Sequence, residues 1–137
     1  MSDQLRRLQA ASVDGRAQNA RFAQNQLKRL FEALVENKTP VTVALRNDTS
    51  YLPAEIEAEY YLTLETIRES YKSINNAKAL ENEYSIANNK DNSLRRTPVG
   101  CVYIVPARHT PLYATIAPLC AAIAAGNCVA IEVCVWE

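Results

Sequence analysis

Arg108, His109 and Thr110 stand side by side, Tyr113 follows within one helical turn, and Glu132 lies further along the chain. An imidazole can exchange protons near neutral pH, and a neighbouring guanidinium can hold an anionic or enolate-like group. Glu132 could pair with Arg108 or His109 and raise the basicity of the imidazole. The Tyr113 phenol could donate a hydrogen bond, and Thr110 could contact a substrate. Together these groups would suit an acid–base step on a small molecule. A structural reading stands beside it: Arg108 and His109 cap a loop and bond backbone carbonyls, Glu132 is a surface charge, and Tyr113 packs. Tyr103, inside an apolar run, reads as core.

The elements that must position these residues are a strand, a helix and a second strand. Residues 99–105 form a nearly continuous apolar, β-branched run, the pattern of a strand buried on both faces. Pro106 and Pro111 bracket a loop, residues 112–125 are rich in Ala, Leu and Ile, and Gly126-Asn127 supplies a helix stop. Residues 128–135 read as a second buried strand. Such a unit favours parallel, right-handed pairing, and ligands collect beyond the carboxyl ends of its strands. Arg108 and His109 lie at that edge.

Upstream the chain is helical. Ala17, Ala20, Leu27, Leu30, Phe31, Leu34 and Val35 form a stripe over residues 14–37, which Asn37-Lys38-Thr39-Pro40 should end. Residues 41–46 fit a strand or a short helix, with helix favoured. A long helix should start between Thr49 and Pro53, capped by a hydroxyl or by Asp48, and run to Asn75. Ile56, Tyr60, Leu64, Ile67, Tyr71 and Ile74 share its apolar face, while Glu55, Glu57, Glu59, Glu65 and Glu69 should point outward. Tyr60, Tyr61 and Tyr71 could stack on a ligand, but their spacing suits helix packing. Residues 76–97, rich in Asn, Lys, Asp and Ser, look like a mobile connector or a hairpin with Arg95-Arg96 as a basic edge. The expected fold class is therefore α/β: long N-terminal helices packed on an incomplete parallel strand–helix–strand unit, within one domain of 137 residues. Its parts are a helical section (14–75), a connector (76–97) and the strand–helix–strand unit (98–137).

Charge is distributed unevenly. Of the 30 Asp, Glu, Lys and Arg residues, 27 precede residue 98, leaving Arg108, Glu132 and Glu137. The net charge is zero, so no summed field gathers phosphates and nucleic acid is not an expected partner. The N-terminus lacks the apolar core of a secretory signal, and no apolar run reaches membrane-spanning length. A cytoplasmic, membrane-free setting follows, in which Asn47-Asp48-Thr49 is a turn and helix cap rather than a glycosylation site. Cysteines 101, 120, 128 and 134 match no zinc or redox spacing and lie in apolar runs, so they read as packed thiols with no metal.

Pro98-Val99-Gly100, residues 102–111, Ala117-Pro118-Leu119 and the run 121–127 with Val129 together resemble the N-terminal part of the aldehyde dehydrogenase superfamily, over residues 14–133. The preceding helices and connector are similar to the same region of its shorter, fatty-aldehyde-like members. The resemblance implies a cofactor domain that here stops early. The family's Trp-Asn-Tyr-Pro loop, whose Asn amide helps to stabilise a thiohemiacetal oxyanion, is matched by Arg108-His109-Thr110-Pro111. His109 thus replaces that Asn. Glu132 stands where a family Lys contacts the cofactor ribose, and Val133-Cys134-Val135 replaces a Pro-Ser-Glu pattern. The remaining cofactor strands, the general-base Glu and the nucleophilic Cys have no match.

The resulting expectation is a truncated, repurposed, non-redox protein without a cofactor. It would bind a small metabolite at Arg108, His109, Thr110, Tyr113 and Glu132, and isomerise or cyclise it. An uncovered apolar sheet edge at 128–136 would call for self-association, most simply a homodimer. The alternatives are a pseudoenzyme scaffold that binds a protein through that edge, and a gene product with little activity.

Overall fold

Asn19 opens the first packed helix by accepting the Arg21 and Phe22 backbone N–H groups at 2.9 and 3.2 Å on its side-chain oxygen. In the computed structural model, which describes residues 3–91, 93 and 95–132, this helix is α2 (Ala20–Glu36). It follows α1 (Asp3–Asp14) and a 3-10 turn (Arg16–Gln18), neither of which the apolar stripe disclosed. The backbone and side-chain nitrogens of Asn37 both donate to the Ala33 carbonyl and close α2. The chain then enters α3 (Lys38–Asp48) with no intervening loop. Pro40 does not prevent this, because the first turn of a helix needs no backbone donor there. The helical reading of residues 41–46 agrees with α3.

The long helix is α4 (Pro53–Ser73). Neither Asp48 nor Thr49 caps it. Asp48 ends α3, and the Thr49 hydroxyl donates to the Leu45 carbonyl at 2.6 Å. Glu55 instead reaches back and accepts the Leu52 N–H at 2.7 Å, the acidic half of a capping box. Lys38 docks α3 on α4, donating to Glu57 at 2.9 Å and Tyr61 at 3.3 Å beside the Tyr60 and Tyr61 rings. These hydrogen bonds hold the Lys38 pKa above its usual value. Of the tyrosines, Tyr60 is buried and donates to the Leu34 carbonyl, whereas Tyr61 and Tyr71 are exposed. Residues 76–97 begin with a helix, α5 (Asn76–Glu83), followed by tight turns; no hairpin forms among the described residues.

Strand β1 (Cys101–Ile104), helix α6 (Pro111–Ala124) and strand β2 (Cys128–Ile131) follow, with β1 and β2 parallel and Cys101 opposite Cys128. The expected unit is present, and α6 continues through Pro118. Residues 133–135, expected to extend the second strand, lie outside the described residues, as does Cys134. The two resembling motifs meet in space: the Gly100 N–H donates to the Asn127 side-chain oxygen at 3.0 Å, and the Cys128 N–H donates to the Gly100 carbonyl at 2.8 Å. Gly126, at φ +79°, packs against the 3-10 turn so closely that a Cβ would lie 3.2 Å from Gln18 Cα.

The core is helical. Leu27, Leu34, Ile67, Ile116 and Cys120 pack between α2, α4 and α6. The run 99–105 is not buried on both faces: Ile104 is buried, but Val99, ahead of β1, is 84% exposed and Tyr103 62%. Tyr103 is therefore not a core residue, and Cys101 is not a packed thiol, for its side chain is exposed. The pleat explains the split. Cys101 and Tyr103 point away from the face that carries Val102 and Ile104. Cys120 does pack as expected, and its burial pushes the thiol pKa up to about 11.

Candidate functional site

The loop leaving β1 folds towards the segment that joins α3 to α4. There the Tyr51 hydroxyl lies 2.9 Å from His109 Nδ1, with the two rings edge-on at 6.0 Å. The Thr110 backbone N–H donates to the same Tyr51 oxygen at 3.1 Å. Thr110 adopts a left-handed conformation, φ 51°, immediately before α6. That conformation is costly for a β-branched residue, and the Tyr51 bond helps to hold it.

Opposite this pair, Glu55, Ala58, Glu59 and Leu62 of α4 form the second wall of a cleft of about 340 Å³; Tyr113 completes the lining. Their spacing of three, four and seven residues puts them on one helical face. Glu59 does not point outward. It is 6% exposed, and its Oε1 accepts the Tyr113 backbone N–H at 3.0 Å. The first turn of α6 has N–H groups without intrahelical acceptors and carries the positive end of the helix dipole. Glu59 thus caps α6 from a different helix. Its Oε2 is buried and has no hydrogen-bond partner among the described residues.

His109, Thr110 and Tyr113 are therefore brought together at the cleft, and His109 is exposed rather than buried against backbone. Arg108 and Glu132 do not line it. Glu132 follows β2, where its backbone N–H donates to the Ile104 carbonyl at 2.9 Å and its carboxylate accepts the Tyr103 hydroxyl. Among the described residues no ion pair joins Glu132 to Arg108 or His109. Tyr51, Glu55 and Glu59 are the residues that sequence reasoning missed. The signal for Glu59 was its register, three residues after Ile56 and four before Thr63 in the buried stripe. Arg95 and Arg96 line a separate groove with Arg21 and Lys78. No group of three or more His, Cys, Asp or Glu residues that could hold a metal occurs among the described residues.

The aldehyde dehydrogenase family model matches residues 8–133. The chain belongs to the aldehyde dehydrogenase family. Among its curated relatives, aldehyde dehydrogenase family 3 member B1 of Mus musculus is 33% identical over 138 residues, covering 95% of this chain. The proteins of the same name from Bos taurus and Homo sapiens are each 34% identical and cover 96%. The chain spans only 28–29% of the length of these relatives. No match was found among solved structures. No described helix is long and apolar enough to cross a membrane.

Membership of the aldehyde dehydrogenase family raises the question of a nicotinamide dinucleotide at the carboxyl edge of β1 and β2. The residue that the resemblance aligns with the ribose contact does not match it. Glu132 puts a carboxylate where the resemblance implies an ammonium group, and that carboxylate is already bonded to the Tyr103 hydroxyl. A negative side chain there repels phosphate.

Proposed function

We propose that the cleft between Tyr51 and α4 binds a small metabolite and moves a proton on it, in an isomerisation or cyclisation rather than a hydride transfer. The observation that carries this reading is the 2.9 Å contact between the Tyr51 hydroxyl and His109 Nδ1 at the cleft wall. The Tyr51 oxygen accepts the Thr110 N–H and so remains able to donate its own proton to Nδ1. With Nδ1 protonated and donating to Tyr51 instead, Nε2 is free to act as the base, and the proton it takes makes the imidazolium, whose Nε2–H then serves as the acid. The Nδ1–H bond to Tyr51 thus holds the ring through both halves of a proton shuttle. Tyr113 lines the ligand space and Thr110 fixes the loop. Arg108 and Glu132, both outside the cleft, carry no step in this scheme. The proposal places the protein in the cytoplasm, where thiols stay reduced.

The test is a screen of small carbonyl compounds against the folded protein and its His109→Ala and Tyr51→Phe variants. Turnover should disappear in the first and fall in the second. Turnover that survives in a folded His109→Ala protein contradicts the reading.

A second reading is favoured by the exposed apolar side chains of Val99, Tyr103 and Val105 beside β1. A second copy of the chain covering that face would make a homodimer, or another protein would use it as a scaffold. Light scattering distinguishes them. A dimer that Val99→Lys disrupts supports self-association, and a monomer at every concentration excludes it.

A further inference from the structure

The carboxylates that line the cleft, Glu55 and Glu59, have no Lys or Arg opposite them. One oxygen of Glu55 is committed to the Leu52 N–H and one of Glu59 to the Tyr113 N–H. The other oxygen of Glu59 is buried without a donor among the described residues. A buried acceptor left unpaired is costly, and a ligand donor that meets it when the Glu59 side chain turns into the cleft offsets that cost. Around these carboxylates stand the rings of Tyr51 and Tyr113, with Ala58 and Leu62 as the apolar surface.

We propose that the cleft takes a small ligand bearing a protonated amine on a short apolar body, an inference that rests on reading the cleft as a small-molecule site. An ammonium group offers three donors and no acceptor, which matches a wall of carboxylate oxygens. Its positive charge is attracted by Glu55 and Glu59. A carboxylate or phosphate ligand meets two like charges instead. A neutral alcohol or carbonyl compound gains no charge-assisted bond. The short apolar body follows from a space of about 340 Å³, near the lower end of ligand-binding cavities, floored by Ala58 and Leu62.

His109 is the only histidine in the chain, so its ring protons give an unambiguous magnetic-resonance signal at the cleft wall. The probes are n-butylammonium, n-butanol and butyrate, titrated into the full chain. Butylammonium is expected to shift the His109 signals and to bind about tenfold or more tightly than butanol, with butyrate weakest. Glu55→Gln and Glu59→Gln should each reduce that preference. The second variant keeps a side-chain oxygen for the Tyr113 N–H, and circular dichroism checks that both fold. Butanol or butyrate binding as tightly as butylammonium overturns the amine inference and leaves the small-molecule reading standing. A preference that survives in both variants overturns the role given to the carboxylates. Failure of all three probes to shift His109 overturns both readings.

Discussion

The Glu59 carboxylate of α4 accepts the Tyr113 backbone N–H of α6 at 3.0 Å, so one helix caps the other. This bond joins the helical layer to the strand–helix–strand unit at the place where the cleft forms. Replacing Glu59 with Ala should lower stability by about 1–2 kcal/mol, because a part-buried helix N-terminal N–H loses its acceptor. Glu59→Gln should cost less, since an amide oxygen can still accept. Urea denaturation of the two variants provides the check, and equal losses would contradict the capping role.

Gly126 is required twice over, by its φ of +79° and by its contact with the 3-10 turn. A Cβ would lie 3.2 Å from Gln18 Cα and 3.3 Å from the Ala17 carbonyl oxygen, both backbone atoms with little freedom to move. Gly126→Ala should therefore destabilise the fold by more than about 1 kcal/mol, measured as a fall in the denaturation midpoint. An unchanged midpoint would mean that the 3-10 turn does not pack there.

The described thiols should differ in reactivity. Cys101 is exposed, Cys128 is half-buried, and Cys120 is buried with its pKa pushed up to about 11 by desolvation. Alkylation followed by peptide mapping should label Cys101 first and Cys120 only on unfolding. The sign of the pH effect follows from the raised value. The folded state favours the protonated thiol, so its contribution is intact below about pH 9 and is lost as pH rises towards about 11. Stability measured across that interval should fall in the native chain and fall less in Cys120→Ala.

The strand–helix–strand unit was legible because β-branched runs, a Pro-bracketed loop and a Gly-Asn stop all agree on the same elements. The core was less so. Residues 99–105 are apolar enough for a strand covered on both sides, but the described two-stranded sheet has too little cover, and Tyr103 is left 62% exposed. Glu59 was misread by residue type: its register places it beside Ile56, Tyr60 and Thr63, but a carboxylate is an expected interior group only when a partner is known. That partner, the Tyr113 N–H, lies 54 residues away. Tyr51 was hidden for the same reason, since its contact with His109 spans 58 residues and leaves no trace in local pattern. His109, Thr110 and Tyr113 were singled out together because they are neighbours in sequence, and all three line the cleft. Their expected companion Glu132 bonds to Tyr103 instead.

In the proposed function His109, held by Tyr51, transfers protons on a small molecule in the cleft. The most direct measurement of this transfer is solvent deuterium uptake at the carbon next to the carbonyl of small amino-carbonyl compounds, followed by magnetic resonance in heavy water. The wild-type chain should accelerate uptake over buffer, and a folded His109→Ala variant should return it to the buffer rate. Uptake at the buffer rate in the wild type, or at the wild-type rate in His109→Ala, would contradict the account.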